Sequence, residues 1–288
     1  MPTFLFGYDV EAPNAALTGA FLAQMQAIHH ELRVPASLFL VGRTLEHSAA
    51  ALRPVAGDPL FDVQQHTYSH TLLKTVCEVS DRGTLLKRGG SLEQIDEDLG
   101  RANEAIERLL GVRCRAITGP WNYYRGLSDR PDILELLQKH GLTTSRCWGR
   151  NERDWQPVTL DVQPFWYAAQ GFPDILEVGI HGWQDCLRRS RIGWDQLADY
   201  VALTCRDLDE AADRDCVFSY CQHDWSSIRA DSEMTATRAI LEHALRKGFH
   251  MLHYRQFYDE LAAEQQARSE PASAVARARA DTDGGAEW

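Results

Sequence analysis

Short runs of consecutive apolar residues alternate along this chain with longer stretches in which apolar positions recur every three to four residues. The runs Thr3–Tyr8, Ala36–Val41, Phe61–Gln65, Arg113–Thr118 and Thr143–Cys147 read as strands, as do Ile175–His181, Cys216–Cys221 and His250–Leu252. The helical spacing predicts helices over about Asn14–Leu32, Pro131–His140, Asp195–Ala212 and Glu233–Lys247. A further helix opens at Ser91, where Gln94 completes a capping-box pattern, and runs to about Leu110. The polar, glycine-containing stretch Leu73–Gly90 is expected to be a long loop or an insertion. Residues 267–288 are rich in Ala, Arg, Asp, Ser and Gly, which predicts a disordered tail after one domain over 1–266.

Strand–helix alternation through most of the 288 residues favours an α/β barrel or a doubly wound sheet. No GxGxxG follows the first strand, whose exit reads Tyr8-Asp9-Val10-Glu11, so dinucleotide binding is unsupported. In a barrel, chemistry gathers where strands end at their C-terminal side. Asp9 and Glu11, His66 and His70, Thr118 and His223 stand at such ends. Core packing does not concentrate ionisable groups at one end of a sheet.

The run His66-Thr67-Tyr68-Ser69-His70 sharpens this picture. Two histidines four apart share one face of a helical turn, and a distant carboxylate would complete a set of metal ligands with coordination positions left open. That layout suits a catalytic ion. Alone, HxxxH fits a solvated helix face equally well; the Asp-x-Glu at the end of an apolar strand shifts the balance toward metal. His29 and His30, adjacent on a helix, are expected at the surface, whereas His181 closes a strand and is a secondary pocket candidate. His253 competes as a ligand.

Composition narrows the classes. Hydrophobic residues make up 44% and charged residues 25%, ordinary for a globular protein. A net charge of −11 with no compensating basic patch argues against nucleic-acid or anionic-membrane binding. The densest basic stretch, Arg188-Arg189-Ser190-Arg191, reads as a solvated loop or a local anion contact. No run is apolar enough to span a membrane, and no leader is visible, so a cytoplasmic protein is expected. Seven scattered cysteines without CxxC spacing read as reduced thiols, with Cys216 and Cys221 as core filler.

Taken in order, these runs resemble the motifs of the polysaccharide deacetylases, the NodB-homology domains of carbohydrate esterase family 4. The resemblance covers Thr3 to about Tyr258 and implies a distorted (β/α) barrel and metal-dependent amide hydrolysis. Phe6-Gly7-Tyr8-Asp9-Val10-Glu11-Ala12 is similar to the Asp-x-Asp first motif of a subgroup, which makes Asp9 the general base and Glu11 a metal ligand; the glutamate departs from the usual aspartate. His66-Thr67-Tyr68-Ser69-His70 matches the second motif in full, making both histidines ligands, with Thr67 and Ser69 fixing the turn. The third motif, Arg-x-Pro, appears as Thr118-Gly119-Pro120, with Trp121, Tyr123 and Tyr124 after it. Thr118 stands where the arginine that orients the base would be, and Arg115 and Arg125 are the candidates to replace it in space. By the same resemblance Pro120, Trp121, Tyr124 and Trp155 bind substrate, the Trp121 N–H faces the oxyanion, and Asp154, in Arg150-Asn151-Glu152-Arg153-Asp154-Trp155, tunes the catalytic histidine. The fifth motif survives as Phe218–Asp224, with His223 as general acid.

The resemblance further implies one divalent ion on Glu11, His66 and His70, zinc first, with cobalt, nickel or manganese as alternatives. The expected activity is N-deacetylation of an N-acetylated sugar or glycoside. Ring opening of a cyclic amide or ureide, a deformylase, and a non-catalytic carbohydrate-binding relative are the alternatives. A homo-oligomer is left open.

Overall fold

The computed structural model of the chain describes residues 1–80 and 83–267. The segment 268–288, expected as a tail, lies outside the described residues. The first strand, β1 (Thr3–Val10), is buried along almost its whole length. It lies between β10 (Val217–His223) on one side and β2 (Ala36–Leu40) on the other, all parallel, with β11 (His250–Leu252) pairing its first residues. The sheet continues through β3 (Phe61–Gln65), β6 (Ala116–Tyr124), β7 (Thr144–Arg150) and β9 (Phe172–Glu177) to the antiparallel edge strand β8 (Phe165–Tyr167).

The helices are α1 (Ala15–Leu32), α2 (Gly42–Ala56), α3 (Leu92–Leu110), α4 (Pro131–Lys139), α5 (Asp185–Ile192), α6 (Leu197–Asp213), α7 (Asp224–Ile228) and α8 (Thr235–Arg246). A last helical stretch covers 254–267. Most strands and helices fall within a few residues of their sequence expectation. Asn14 caps α1 through its side chain, and Ser91 with Gln94 forms the full capping box of α3.

Alternation along β1 explains the two layers of core. Phe4, Phe6, Tyr8 and Val10 join the large cluster under the surrounding helices. Leu5 points the other way, into a small inner cluster with Phe39, Ala116, Leu176, Leu252 and Tyr254. The inner cluster fills the barrel, so Asp9, two pleats above Leu5, emerges at its mouth.

The barrel is closed between β7 and β10 by the segment after β9 rather than by continuous strand pairing. Val178 N donates to Ser145 O and Ile180 N to Trp148 O, while His181 N donates to Ser219 O on β10. His181 serves that closure and does not face the pocket. Its Nδ1 accepts from Ser219 N at 2.9 Å and its Nε2 meets Val162 O, and burial pushes its pKa down to about 4.

Several expectations are corrected. His29 is fully buried, its ring held between Tyr8 Oη and Val34 O; only His30 sits at the surface, paired with Asp58. Leu73–Gly90 contains a β-hairpin, β4 (Val76–Ser80) and β5 (Gly83–Lys87). The Arg188–Arg191 stretch is not a solvated loop but part of α5. Arg188 donates to Thr204 Oγ1 and Asp207, and Arg189 to Ser226 O, both side chains buried. The helix 42–56 was not read from the sequence. All seven cysteines are free.

Candidate active site

The register of β1 against β10 aligns Asp9 with His223. His66 follows the last residue of β3, and its backbone N–H is held by Leu40 O at the end of β2. Strand ends thereby deliver Asp9, Glu11, His66 and His223 to one cavity of about 290 Å³, together with His70.

The turn from His66 to His70 is not helical. Thr67 and His70 adopt left-handed backbone angles, φ 59° and 62°, and these bring the two rings to 4.8 Å. Asp98 on α3 holds the turn by accepting from both Ser69 N and Ser69 Oγ. Glu11 Oε2 lies 3.0 Å from His70 Nε2 and 3.6 Å from His66 Nε2. His66 Nδ1 lies 2.8 Å from the Thr118 carbonyl. A carbonyl only accepts, so Nδ1 carries the proton and Nε2 presents its lone pair to the cavity. The other Glu11 oxygen, Oε1, is taken by the Trp225 indole N–H at 2.8 Å. Burial raises the Glu11 carboxyl, but the imidazoles of His66 and His70 beside it outweigh that and hold the group well below the usual carboxylate range. Two imidazole nitrogens and one carboxylate oxygen, mutually within 4.8 Å, fit a divalent ion with an open side toward the cavity.

Among the described residues, two other trios of donor atoms also lie within 4.8 Å of one another, Asp9–Cys221–His223 and Asp185–Cys186–His223. Burial pushes both thiols up, so they stay protonated, and a thiol is a poor ligand. The Glu11–His66–His70 trio is the better metal site.

Asp9 is buried, with Oδ1 accepting from Arg146 Nη1 at 2.8 Å and Oδ2 3.9 Å from His66 Nε2. Arg146 comes from β7 and crosses the barrel interior fully buried, its guanidinium 4.5 Å from the Phe39 ring centre. Gly7 makes room for it; a Cβ there would lie 3.1 Å from Arg146 Nη1. Arg146 therefore occupies the place beside the carboxylate that Arg115 or Arg125 was expected to fill. Arg115 is instead paired with Asp259 outside the barrel, and Arg125 is exposed.

His223 is paired with Asp185, the first residue of α5, and not with Asp154. Asp185 Oδ1 lies 2.6 Å from His223 Nδ1, and Oδ2 accepts from the His223 backbone N–H at 3.0 Å. Burial pushes the imidazole down, but the Asp185 carboxylate beside it, with its hydrogen bond, holds it well above its ordinary value. Asp154 accepts from Cys77 N at 2.6 Å and so anchors the β4–β5 hairpin.

Trp121 lines the cavity, with Asn122, Arg150, Gln184 and Trp225. Of the other expected substrate contacts, Tyr124 is exposed and Trp155 packs edge-on against Trp183; neither they nor Pro120 line the cavity. Trp225 and Asp185 were missed by sequence reading. Trp225, two residues after the fifth-motif histidine, carried a local signal; Asp185 sits 38 residues from its partner and carried none.

Comparison with known proteins fits this geometry. Residues 15–145 match the polysaccharide deacetylase family, a span that includes both histidines and begins after Glu11. No protein of curated function matches the chain in sequence. Among solved structures, a candidate polysaccharide deacetylase from Mycobacterium smegmatis superposes with TM-score 0.67 at 17% identity, over 92% of this chain and 91% of that one. The PuuE allantoinase gives 0.64 at 13% identity, over 91% and 90%. A pseudoenzyme of carbohydrate esterase family 4 from Bacillus anthracis gives 0.51 at 14% identity, over 90% and 69%. These likenesses establish the shared fold, a NodB-type (β/α) barrel. The family match covers the segment that carries the histidine pair, and that barrel surrounds it, so over residues 15–145 the chain is similar to the polysaccharide deacetylase, or NodB-homology, family.

Proposed function

We propose that the protein is a metal-dependent hydrolase of acyl–amide C–N bonds, acting as an N-deacetylase on an N-acetylated sugar or glycoside. The observation that carries this reading is the convergence of Glu11, His66 and His70 on one cavity with a buried carboxylate, Asp9, and a buried histidine, His223. A divalent ion held by that trio would polarise the amide carbonyl and acidify a water toward a pKa of about 7.

Asp9 takes the proton from the attacking water. Arg146 fixes Oδ1, and Oδ2, which also accepts from the Cys221 thiol, is the basic oxygen on the His66 side. The Trp121 backbone N–H supplies the donor for the developing oxyanion, a contribution of roughly 3 kcal/mol. His223, kept charged by Asp185, delivers a proton to the leaving nitrogen as the C–N bond breaks. The amide and water become a carboxylic acid and an amine. The indoles of Trp121 and Trp225 offer apolar faces against which a sugar ring packs. The confined cavity also admits a small cyclic amide or ureide, which the same groups would open.

Elemental analysis of the purified protein beside His66→Ala, followed by amine release from N-acetylated sugars, tests this reading. About one equivalent of zinc or a similar ion, lost in the variant, is expected. Protein without metal even after zinc is added would overturn it.

A further inference from the structure

The reaction uses Asp9, Glu11, His66, His70 and His223. Two charged residues of the same cavity, Glu78 on β4 and Arg150 on β7, play no part in it. Arg150 is rigidly held. Its Nε donates to Trp121 O and Asn122 O, and Nη1 donates to Asp154 O. Its Nη2 has no hydrogen-bond partner among the described residues, while the side chain lines the cavity. Glu78 reaches the same cavity from β4, beside Cys77, whose backbone N–H donates to Asp154 Oδ2. Asp154 thus contacts β4 with its side chain and steadies Arg150 with its carbonyl.

Resting on the amide-hydrolase reading of this cavity, we propose that Glu78 and Arg150 form a charge-balanced specificity subsite. It selects a neutral substrate presenting a donor and an acceptor side by side, and rejects an anionic one. A sugar hydroxyl accepts from the guanidinium and donates to the carboxylate at once. The edge of a ring amide, with adjacent N–H and C=O, offers the same pairing. A carboxylate would gain at Arg150 but face Glu78, and discrimination built on such repulsion is a common device. The cavity, about 290 Å³, lies at the small end of the roughly 300–1,000 Å³ usual for ligand pockets. Glu78 and Leu85 of the hairpin wall it, which suits a short saccharide rather than a long polymer.

Calorimetric titration of zinc-loaded Asp9→Asn protein, with and without Glu78→Ala, tests the subsite while leaving the amide intact. The probes are N-acetylglucosamine, hydantoin and N-acetylmuramic acid, the last an anionic relative of the first. Glu78→Ala is expected to weaken a neutral probe by about tenfold or more, the loss of one hydrogen bond to a charged group. It is expected to strengthen N-acetylmuramic acid. Glu78-dependent binding of the sugar alone identifies a saccharide substrate, and of hydantoin alone a ring amide; either supports the subsite. Failure of both neutral probes to bind, or equal effects of Glu78→Ala on neutral and anionic probes, overturns it. Hydrolysis by the wild-type protein is scored separately. Binding of this pattern without amine release or ring opening keeps the subsite and refutes the hydrolase reading.

Discussion

Arg146 and Asp9, 137 residues apart, form a buried ion pair of 2.8 Å inside the barrel, in a chain whose third motif carries Thr118 in place of an arginine. The guanidinium reaches the carboxylate from β7 instead of β6, through the space left by Gly7. Breaking one side of such a pair strands the other charge, at a cost of about 3–5 kcal/mol. Arg146→Met is expected to lose that much stability in urea titration and to lower kcat by about a hundredfold through misorientation of Asp9. Metal content by elemental analysis should stay near wild type, because no metal donor touches Arg146.

The proton donor is expected to depend on Asp185 and not on Asp154. In the proposed reaction His223 acts in its charged form, so activity is expected to fall as pH rises through the His223 pKa. Asp185→Asn removes the carboxylate that helps hold that pKa up, so the alkaline limb of the kcat profile should move to lower pH. A drop in kcat of about a hundredfold or more should accompany it. Asp154→Asn should leave the position of that limb unchanged.

Trp225 should govern metal affinity without being a ligand. Its indole N–H binds Glu11 Oε1 and leaves Oε2 toward the two histidines. Trp225→Phe is expected to weaken zinc binding about 10–100-fold in competition with a chelator, the usual effect of removing a hydrogen bond behind a ligand. His70→Ala should abolish binding; Asp9→Asn should retain the ion and lose turnover.

Acid should destabilise the fold between pH 6.5 and about 4. Burial pushes His29 and His181 down to about 4, so both are neutral in the folded protein through that window. The unfolded chain protonates them from about pH 6.5 downward, binds more protons, and gains. Stability from these groups is full above pH 6.5 and falls as pH drops toward 4, by up to about 3 kcal/mol each. His29→Gln should lower stability at pH 7 yet flatten its decline over this window in urea melts.

What the sequence by itself determined is what lies in short range. Apolar spacing placed most strands and helices, because amphipathic periodicity is a local property. The second motif named His66 and His70, and the polar residues at strand exits named Asp9, Glu11 and His223, because parallel strands must all end on one face. What only the tertiary structure decided is how separate strand ends meet. The barrel interior admits one guanidinium, and whether Arg115, Arg125 or Arg146 enters it depends on strand direction and on the space at Gly7. Asp185 reaches His223 because buried Arg188 and Arg189 fasten α5 against its neighbours. His29 looked like a surface histidine because its burial depends on Tyr8 Oη and Val34 O, one a strand away and one beyond the helix end. A side chain's partners are set by packing across distant segments, and no window of neighbouring residues contains them.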